Sequence, residues 1–272
     1  MPTIFKFSPK NSKKMMIITA FLIFLVICTI IASFLSLLIV KTDSSVESVR
    51  SSSYEVYMLS LAKSQVKSEA KSRAGDFQKL GAGGFIWKQN DYYYVVSSVY
   101  QNKNDATLVQ NSVKANQGLD SEIIAVSFKS VTLSGNFTSD EKKVLTKALG
   151  SLYEYYLNVY DCAIALDTNV YNEISARLAV NSAHNTLSGV IDNLSTLFPE
   201  PVGTIKELSQ VLEKALDESQ KLCGGTLENQ SQTYSSLLKY RYTSVLALYY
   251  EFVEGVLTLS KHLYFFGLLF QN

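Results

Sequence analysis

The sequence predicts an α+β protein in three parts: an N-terminal transmembrane helix, a β-α-β-β-α-β domain and a C-terminal antiparallel α-helical bundle. Three observations predict this. An uncharged apolar run covers residues 15–40, strand and helix patterns alternate over residues 54–128, and from residue 139 onwards the apolar period lengthens from two residues to about 3.6.

The apolar run is long enough to cross a bilayer, because about 20 apolar residues in a helix span the hydrocarbon core. It stays bulky up to Lys41 and shows no small-residue cleavage site, so we interpret it as an uncleaved signal anchor, with cleavage as the alternative. Several lysines precede the run, and Asp43 and Glu47 follow it. The positive-inside rule then predicts a cytoplasmic tail over residues 1–14 and an extracytoplasmic location for the bulk of the chain.

The composition of the chain excludes some classes of function and leaves others open. The formal net charge of +1 gives no basic surface of the kind that a nucleic-acid partner requires. The 17 tyrosines suit packing, sugar contact or protein contact equally, because a Tyr ring has an apolar face and a hydroxyl. Outside the apolar run, Cys162 and Cys223 either pair in an oxidising compartment or remain separate buried thiols.

The alternating strand and helix patterns over residues 54–130 predict one α+β domain. A polar, Ser-rich linker over residues 41–53 precedes it. Two β-α-β units fold into one antiparallel sheet with both helices on one face, the ferredoxin-like arrangement, and leave the other face free. The predicted elements are a strand over 54–62, a helix over 64–80 that ends at Gly81-Ala-Gly-Gly, a strand from 85 to 87, a strand over 92–100, a helix from about 104 to 118, and a strand over 121–128.

This domain resembles the SPOR family, the peptidoglycan-binding modules of bacterial division and sporulation proteins. Tyr92-Tyr-Tyr-Val-Val-Ser-Ser-Val-Tyr100 followed by Gln-Asn-Lys-Asn-Asp-Ala106, and Gly118-Leu119 with the strand after it, carry the resemblance. The family's corner Gly is replaced by Leu59 and Ser98, its Gln by Tyr57 and its Arg by Tyr94. The resemblance implies a single N-terminal span and an outer domain whose free sheet face holds glycan strands.

That resemblance, with the alternation of side chains along a strand, defines a candidate glycan-binding face. Aromatic rings exposed there would stack on sugar rings, and a hydroxyl on the first strand would supply hydrogen bonds. The alternative is that the helical bundle packs on this face and buries the rings. The candidate residues are Tyr57, Ser60, Trp87, Tyr92, Tyr94 and Val96.

Residues 138–272 predict the bundle of four amphipathic helices. Thr138 and Glu141 have capping-box spacing at the start of the first helix. A second helix is predicted over residues 170–197, with Ile174, Leu178, Leu187, Val190 and Leu194 facing the core. The apolar run 263–270 is interpreted as a helix end packed in the bundle or, alternatively, as an exposed docking or membrane-contacting patch.

Catalytic and metal motifs are missing from the sequence, since no HExxH, GxSxG, CxxC or Walker-type run occurs and His184 and His262 have no ligand at metal spacing. We therefore expect no enzyme activity and no cofactor, although two carboxylates meeting in space as a glycosidase pair stay open. The predicted function is binding of septal or spore-envelope glycan, with partners recruited by the bundle in cell division or sporulation. The alternative is a scaffold of an envelope complex that does not bind glycan. The expected partners are glycan strands, envelope proteins and the lipid bilayer, and no nucleic acid.

Overall fold

The computed structural model describes residues 47–224 and 233–269, with side chains through residue 258. The predicted span over 15–40 and the apolar run 263–270, apart from its helical backbone to Leu269, lie outside what is described. No helix of the described residues is long and apolar enough to cross a membrane. The elements are β1 (Glu47–Arg50), β2 (Tyr54–Ser64), α1 (Lys67–Lys79), β3 (Phe85–Gln89), β4 (Tyr92–Tyr100), α2 (Lys103–Gln117), β5 (Glu122–Phe128), β6 (Thr132–Gly135), α3 (Ser139–Asp167), α4 (Glu173–Leu197), α5 (Gly203–Cys223) and α6 (Tyr234–Leu269).

The described part of the chain is an α+β fold with six helices and two antiparallel sheets, which confirms the predicted class. The larger sheet has the strand order β3-β4-β2-β5, with each neighbouring pair antiparallel. Register shifts between β2 and β4 leave Leu61 and Ser97 without opposite partners. Such irregularities bend a sheet and redirect its side chains.

Residues 47–50, predicted as part of the linker, form strand β1 instead and pair with β6. The Ser51 N–H donates to the Val131 carbonyl at 2.9 Å, and the Val131 N–H donates to Ser51 Oγ at 2.8 Å. Val49 and Leu133 supply the buried side chains of this small sheet. Two strands of four residues with a single buried apolar residue each give no alternation that a sequence pattern could reveal.

Helices α1 and α2 lie on one face of the larger sheet. Ala70 and Ala74 of α1 pack with Val95, and Ala106 of α2 packs with Leu59 and Tyr100. Small residues let the helix backbones approach the strands closely. The Asn102 side chain caps α2 by accepting from the Asp105 N–H at 2.9 Å, and the left-handed Gly118 follows its last turn.

The four C-terminal helices pack around a shared core, with α3 against α4 and α6, and α5 against both α4 and α6. The capping box of Thr138 and Glu141 is present at the start of α3. Of the expected core positions on α4, Leu187, Val190 and Leu194 are buried, whereas Ile174 and Leu178 are wrong, because their side chains are 72% and 66% exposed. The buried residues of α4 are spaced alternately by four and three residues: Ala176, Val180, Ala183, Leu187, Val190 and Leu194.

The sheet and the helices belong to one compact unit, residues 48–272, because α6 packs on the sheet as well as on the other helices. The loop at residues 81–84 receives the start of α6. The Ser236 hydroxyl donates to the Ala82 carbonyl at 2.5 Å, and Lys239 Nζ donates to the Gly81 carbonyl at 3.1 Å. A Cβ on Gly83 would lie 3.0 Å from the Lys239 backbone carbon and 3.0 Å from the Ser97 carbonyl oxygen, so this contact requires glycine.

A matched pair of glycine substitutions tests this contact. Gly83→Ala should lower the free energy of unfolding by about 1–3 kcal/mol, because the new methyl group overpacks the interface between the loop and α6. Gly75→Ala should raise it by about 0.5–1 kcal/mol, because Gly75 lies inside α1 with nothing within 4 Å of an added Cβ. Chemical denaturation of both variants measures the difference, and equal effects of the two substitutions would contradict the contact.

Candidate functional site

The structure separates the six residues of the predicted glycan-binding face. Trp87, Tyr94 and Val96 lie on the sheet face that joins the main core, and Trp87 and Val96 are only 5% and 1% exposed. Tyr57 packs with the cluster under α2, on the opposite face. Tyr92 lies at the end of β4 and is 37% exposed. The geometry therefore leaves no continuous open surface of Tyr57, Trp87, Tyr92 and Tyr94.

Helices α3 and α6 cover this sheet face with an aromatic layer. Tyr54 of β2 stacks on Tyr153 of α3 with ring centroids 3.8 Å apart, and Phe128 of β5 stacks on Tyr249 of α6 at 5.7 Å. Aromatic pairs in such geometries add to the stabilisation from burial. Two further edge-to-face pairs join β3 to α6: Trp87 with Tyr250 at 5.2 Å, and Phe85 with Tyr240 at 5.5 Å.

A buried hydrogen-bond cluster fixes α6 to the middle of β4. The Tyr242 hydroxyl lies 2.7 Å from Ser98 Oγ and accepts from the Val99 N–H at 3.2 Å. Tyr242 is fully buried, and burial raises the pKa of its hydroxyl well above the ordinary value. The hydroxyl therefore stays protonated and keeps its bond to the serine. Ser98 therefore supplies a polar contact between β4 and the bundle.

The remaining polar candidates are also engaged within the protein. Ser60 is 2% exposed, and its hydroxyl donates to the Ala62 carbonyl at 2.8 Å. The Tyr57 hydroxyl donates to the Glu55 carboxylate, and this bond raises the pKa of Tyr57. Neither hydroxyl is left directed at a ligand on the core-facing side of the sheet.

The bundle contains two sets of side chains of the types found in catalytic sites, a His–Ser pair and two cysteines. His184 Nδ1 lies 3.0 Å from Ser219 Oγ, but Ser219 is fully buried and no substrate can reach it. Cys162 and Cys223 are free thiols, and burial, helped by Asp161, raises the pKa of Cys162 to about 11. Within the part of the chain that the structure describes, no group of three or more His, Cys, Asp or Glu side chains could hold a metal ion.

Three large apolar side chains of the bundle are exposed at and just before the start of α4. Val170, Ile174 and Leu178, which we call the α4 stripe, are 74%, 72% and 66% exposed. Ile174 and Leu178 are four residues apart on α4 and therefore share one side of the helix, and Val170 lies in the turn just before it. Ile174 and Leu178 were mistaken for core because their spacing is that of a buried face. Ala176, Val180 and Ala183 continue the buried positions Leu187, Val190 and Leu194 towards the start of the helix and were the better signal.

A cleft between α3 and α4 borders the α4 stripe. Its volume is about 590 Å³, and Val170 and Tyr171 form part of its wall. Cys162, Ala165 and Ala179 also line it, next to polar side chains from both helices. An apolar ridge beside a shallow cleft is the shape that a helix of another protein can contact.

Comparison of the chain with protein-family models, with curated proteins and with solved structures gave no match.

Substitution of Trp87 tests where the aromatic face points. Trp87→Ala should lower the free energy of unfolding by about 3–5 kcal/mol, because it leaves a cavity between β3 and α6. Tyr92→Ala, at the exposed end of the neighbouring strand, should change it by less than about 1 kcal/mol. Thermal or chemical unfolding compares the two variants, and a Trp87 variant as stable as the Tyr92 variant would mean that the ring is not enclosed.

Proposed function

We propose that this chain is a membrane-anchored scaffold of a cell-envelope complex, in which the α4 stripe docks an apolar helix of a protein partner. The observation that carries the proposal is the stripe itself, since three large apolar side chains in a row are exposed beside a cleft. Contiguous exposed apolar surface on a folded protein typically marks an interaction site. The membrane anchor in this proposal is the apolar run over residues 15–40.

Burial of the aromatic sheet face favours a scaffold function over binding of glycan strands. A glycan strand could reach Trp87 only if α6 left the sheet, which would expose several aromatic side chains at once. Each large apolar side chain loses roughly 1.5–3 kcal/mol when it is exposed. Stacking of a few sugar rings would have to offset that sum together with the loss of the Tyr242 hydrogen bonds to β4.

The N-terminal half has a supporting role in this proposal. The strand order β3-β4-β2-β5, with both short helices on one face, supports a ferredoxin-like, SPOR-related domain over residues 54–130. The chain's own helical bundle packs on the second face of this sheet. Recruitment of partners in cell division or sporulation then belongs to the bundle rather than to the sheet.

The surroundings of the α4 stripe define the chemistry of the partner. On this turn of α4, Arg177 and Glu173 form an ion pair with each other, with Nη2 and Oε1 2.6 Å apart, so they offer little to a charged group of a partner. The complementary surface is accordingly a helix with apolar residues at intervals of three and four, which can lie along the cleft. The chain's near-zero net charge gives no reason to expect a nucleic acid there.

Site-specific photocrosslinking in the native membrane tests the docking surface. A photoreactive amino acid at Leu178 should give one discrete adduct with a protein partner, whereas the same group at Gln220, exposed on α5, should give none. Adding Ile174→Ser should remove the Leu178 adduct without lowering the amount of protein, because Ile174 is mostly exposed.

Two outcomes would contradict the proposal. An adduct with twice the mass of the chain would identify a second copy as the occupant, and adducts of equal yield at Leu178 and Gln220 would mean that the stripe is not an interface. In parallel, the detergent-solubilised chain should not co-sediment with sacculi, native or stripped of stem peptides. Binding to stripped sacculi that Tyr92→Ala and Tyr94→Ala abolish would restore the glycan interpretation.

A further inference from the structure

We propose that the free edge of strand β3 binds an extended peptide of a partner protein, one in which acidic and apolar side chains alternate. The peptide would add to the sheet as a further strand, in the cleft between α1 and α6. This inference does not depend on the helix docking proposed for the α4 stripe, because the two surfaces share no residue.

A cleft with a volume of about 550 Å³ lies beside the start of β3. Its walls are formed by α1, Gly84, the first residues of β3, and Tyr240 of α6. Phe85 and Ile86 are neighbours in β3 and lie on opposite faces of the sheet, since Phe85 packs on Tyr240 and Ile86 packs with the cluster under α1. Both residues line the cleft, so the cleft lies beyond the edge of the strand rather than above one face.

Strand β3 has a neighbouring strand on one side only. In the described sheet it stands at the end of the order β3-β4-β2-β5 and pairs with β4 alone. An edge strand directs alternate backbone N–H and C=O groups away from its neighbour, and these groups can pair with another extended chain. Because the cleft lies at this edge, a peptide bound in it would continue the sheet, which is a recurring mode of peptide recognition.

The α1 wall of the cleft is fixed in place and leaves room for a ligand. Gln78 Nε2 donates to the Gly83 carbonyl at 3.0 Å and so connects α1 to the loop before β3. Gly75 lines the cleft from the middle of α1, and nothing lies within 4 Å of a Cβ added there. A peptide side chain can therefore enter beside Gly75 without displacing the helix or the loop.

The charge on the α1 side of the cleft favours an acidic peptide. Lys67 and Lys71 line the cleft, are exposed, and lie one turn apart on α1. Within the described residues neither lysine forms an ion pair, whereas Arg73 and Lys79 pair with the two acidic side chains of α1. Four residues of a helix rise about 6 Å, and side chains on one face of a strand repeat about every 6.7 Å. Two carboxylates spaced two residues apart on the peptide can therefore reach both lysines.

The opposite side of the cleft is aromatic and favours apolar residues between the acidic ones. Phe85 and Tyr240 pack edge to face there, with ring centroids 5.5 Å apart. Because successive side chains of an extended chain alternate, the peptide residues that cover these rings lie between those that face Lys67 and Lys71. A small anion would use the lysines alone and leave the strand edge and the rings uncovered, so a peptide accounts for more of the surface.

Binding of a synthetic peptide to the detergent-solubilised full chain tests the site. The probe is a fluorescein-labelled peptide of alternating Glu and Val between terminal glycines, and its fluorescence anisotropy reports binding. Lys67→Glu with Lys71→Glu should weaken binding about tenfold or more, because like charges then face each other. Gly75→Leu should abolish binding, because the new side chain occupies the cleft. Both variants should unfold near the wild-type temperature, since the lysines are exposed and Gly75 has space for a side chain.

Matched controls distinguish addition to the strand edge from attraction by charge. Lys143→Glu with Lys147→Glu makes the same change in net charge at exposed positions of α3 and should leave binding unchanged. The same peptide with its central residues N-methylated keeps its side chains but has no backbone donors there, so it should bind about tenfold more weakly or worse. Equal binding of the two peptides, an equal loss in both lysine variants, or no binding of the unmethylated peptide to the wild-type chain would overturn the proposal.

Discussion

The contact between helix α6 and the open face of the sheet is the constraint on which the rest of the structure depends. A four-stranded sheet with both helices on one side has a second face of aromatic and branched residues that must be covered. Helix α6 covers it from the loop at 81–84, where Gly83 permits close approach, to the aromatic layer around Tyr249. The Tyr242 hydroxyl fixes the register between them.

Covering this face with the chain's own helix changes what the molecule can do. Without α6, this sheet face would present Trp87 and Tyr94 to a ligand; with α6 in place, it forms part of the core shared with the bundle. In the proposed function, the surface for a protein partner lies instead on α4, on the far side of the bundle. That proposal follows from the position of α6, which leaves no open aromatic sheet face.

The sequence predicted the order of strands and helices well, because period-two and period-3.6 patterns are strong in this chain and Gly81, Gly118 and the Thr138 cap mark element ends. It did not predict which face of the sheet stays open. Side-chain alternation assigns Trp87 and Tyr94 to one face but contains no information about what packs there. Burial of Trp87 depends on Tyr250, which is more than 150 residues away in the chain.

The error at α4 has a related cause. Ile174 and Leu178 have the spacing of a buried face, and their side chains are larger than those of Ala176 and Ala183, which in fact face the core. Close packing of α4 on α3 and α5 selects small residues, so the largest apolar side chains on this helix are not the best guide to its inner side. The candidate docking surface could therefore not be recognised from the sequence, because its residues have the spacing and size of core residues.

Fluorescence of Trp87, the only tryptophan in the chain, tests most directly whether α6 covers this face of the sheet. We expect blue-shifted emission that acrylamide quenches weakly, because the ring is enclosed between β3 and Tyr250 of α6. A Trp87→Phe, Tyr92→Trp variant provides the comparison, with a tryptophan at the exposed end of β4. Strong quenching of Trp87, equal to that of the Tyr92→Trp variant, would show that α6 does not cover the sheet and would contradict the account.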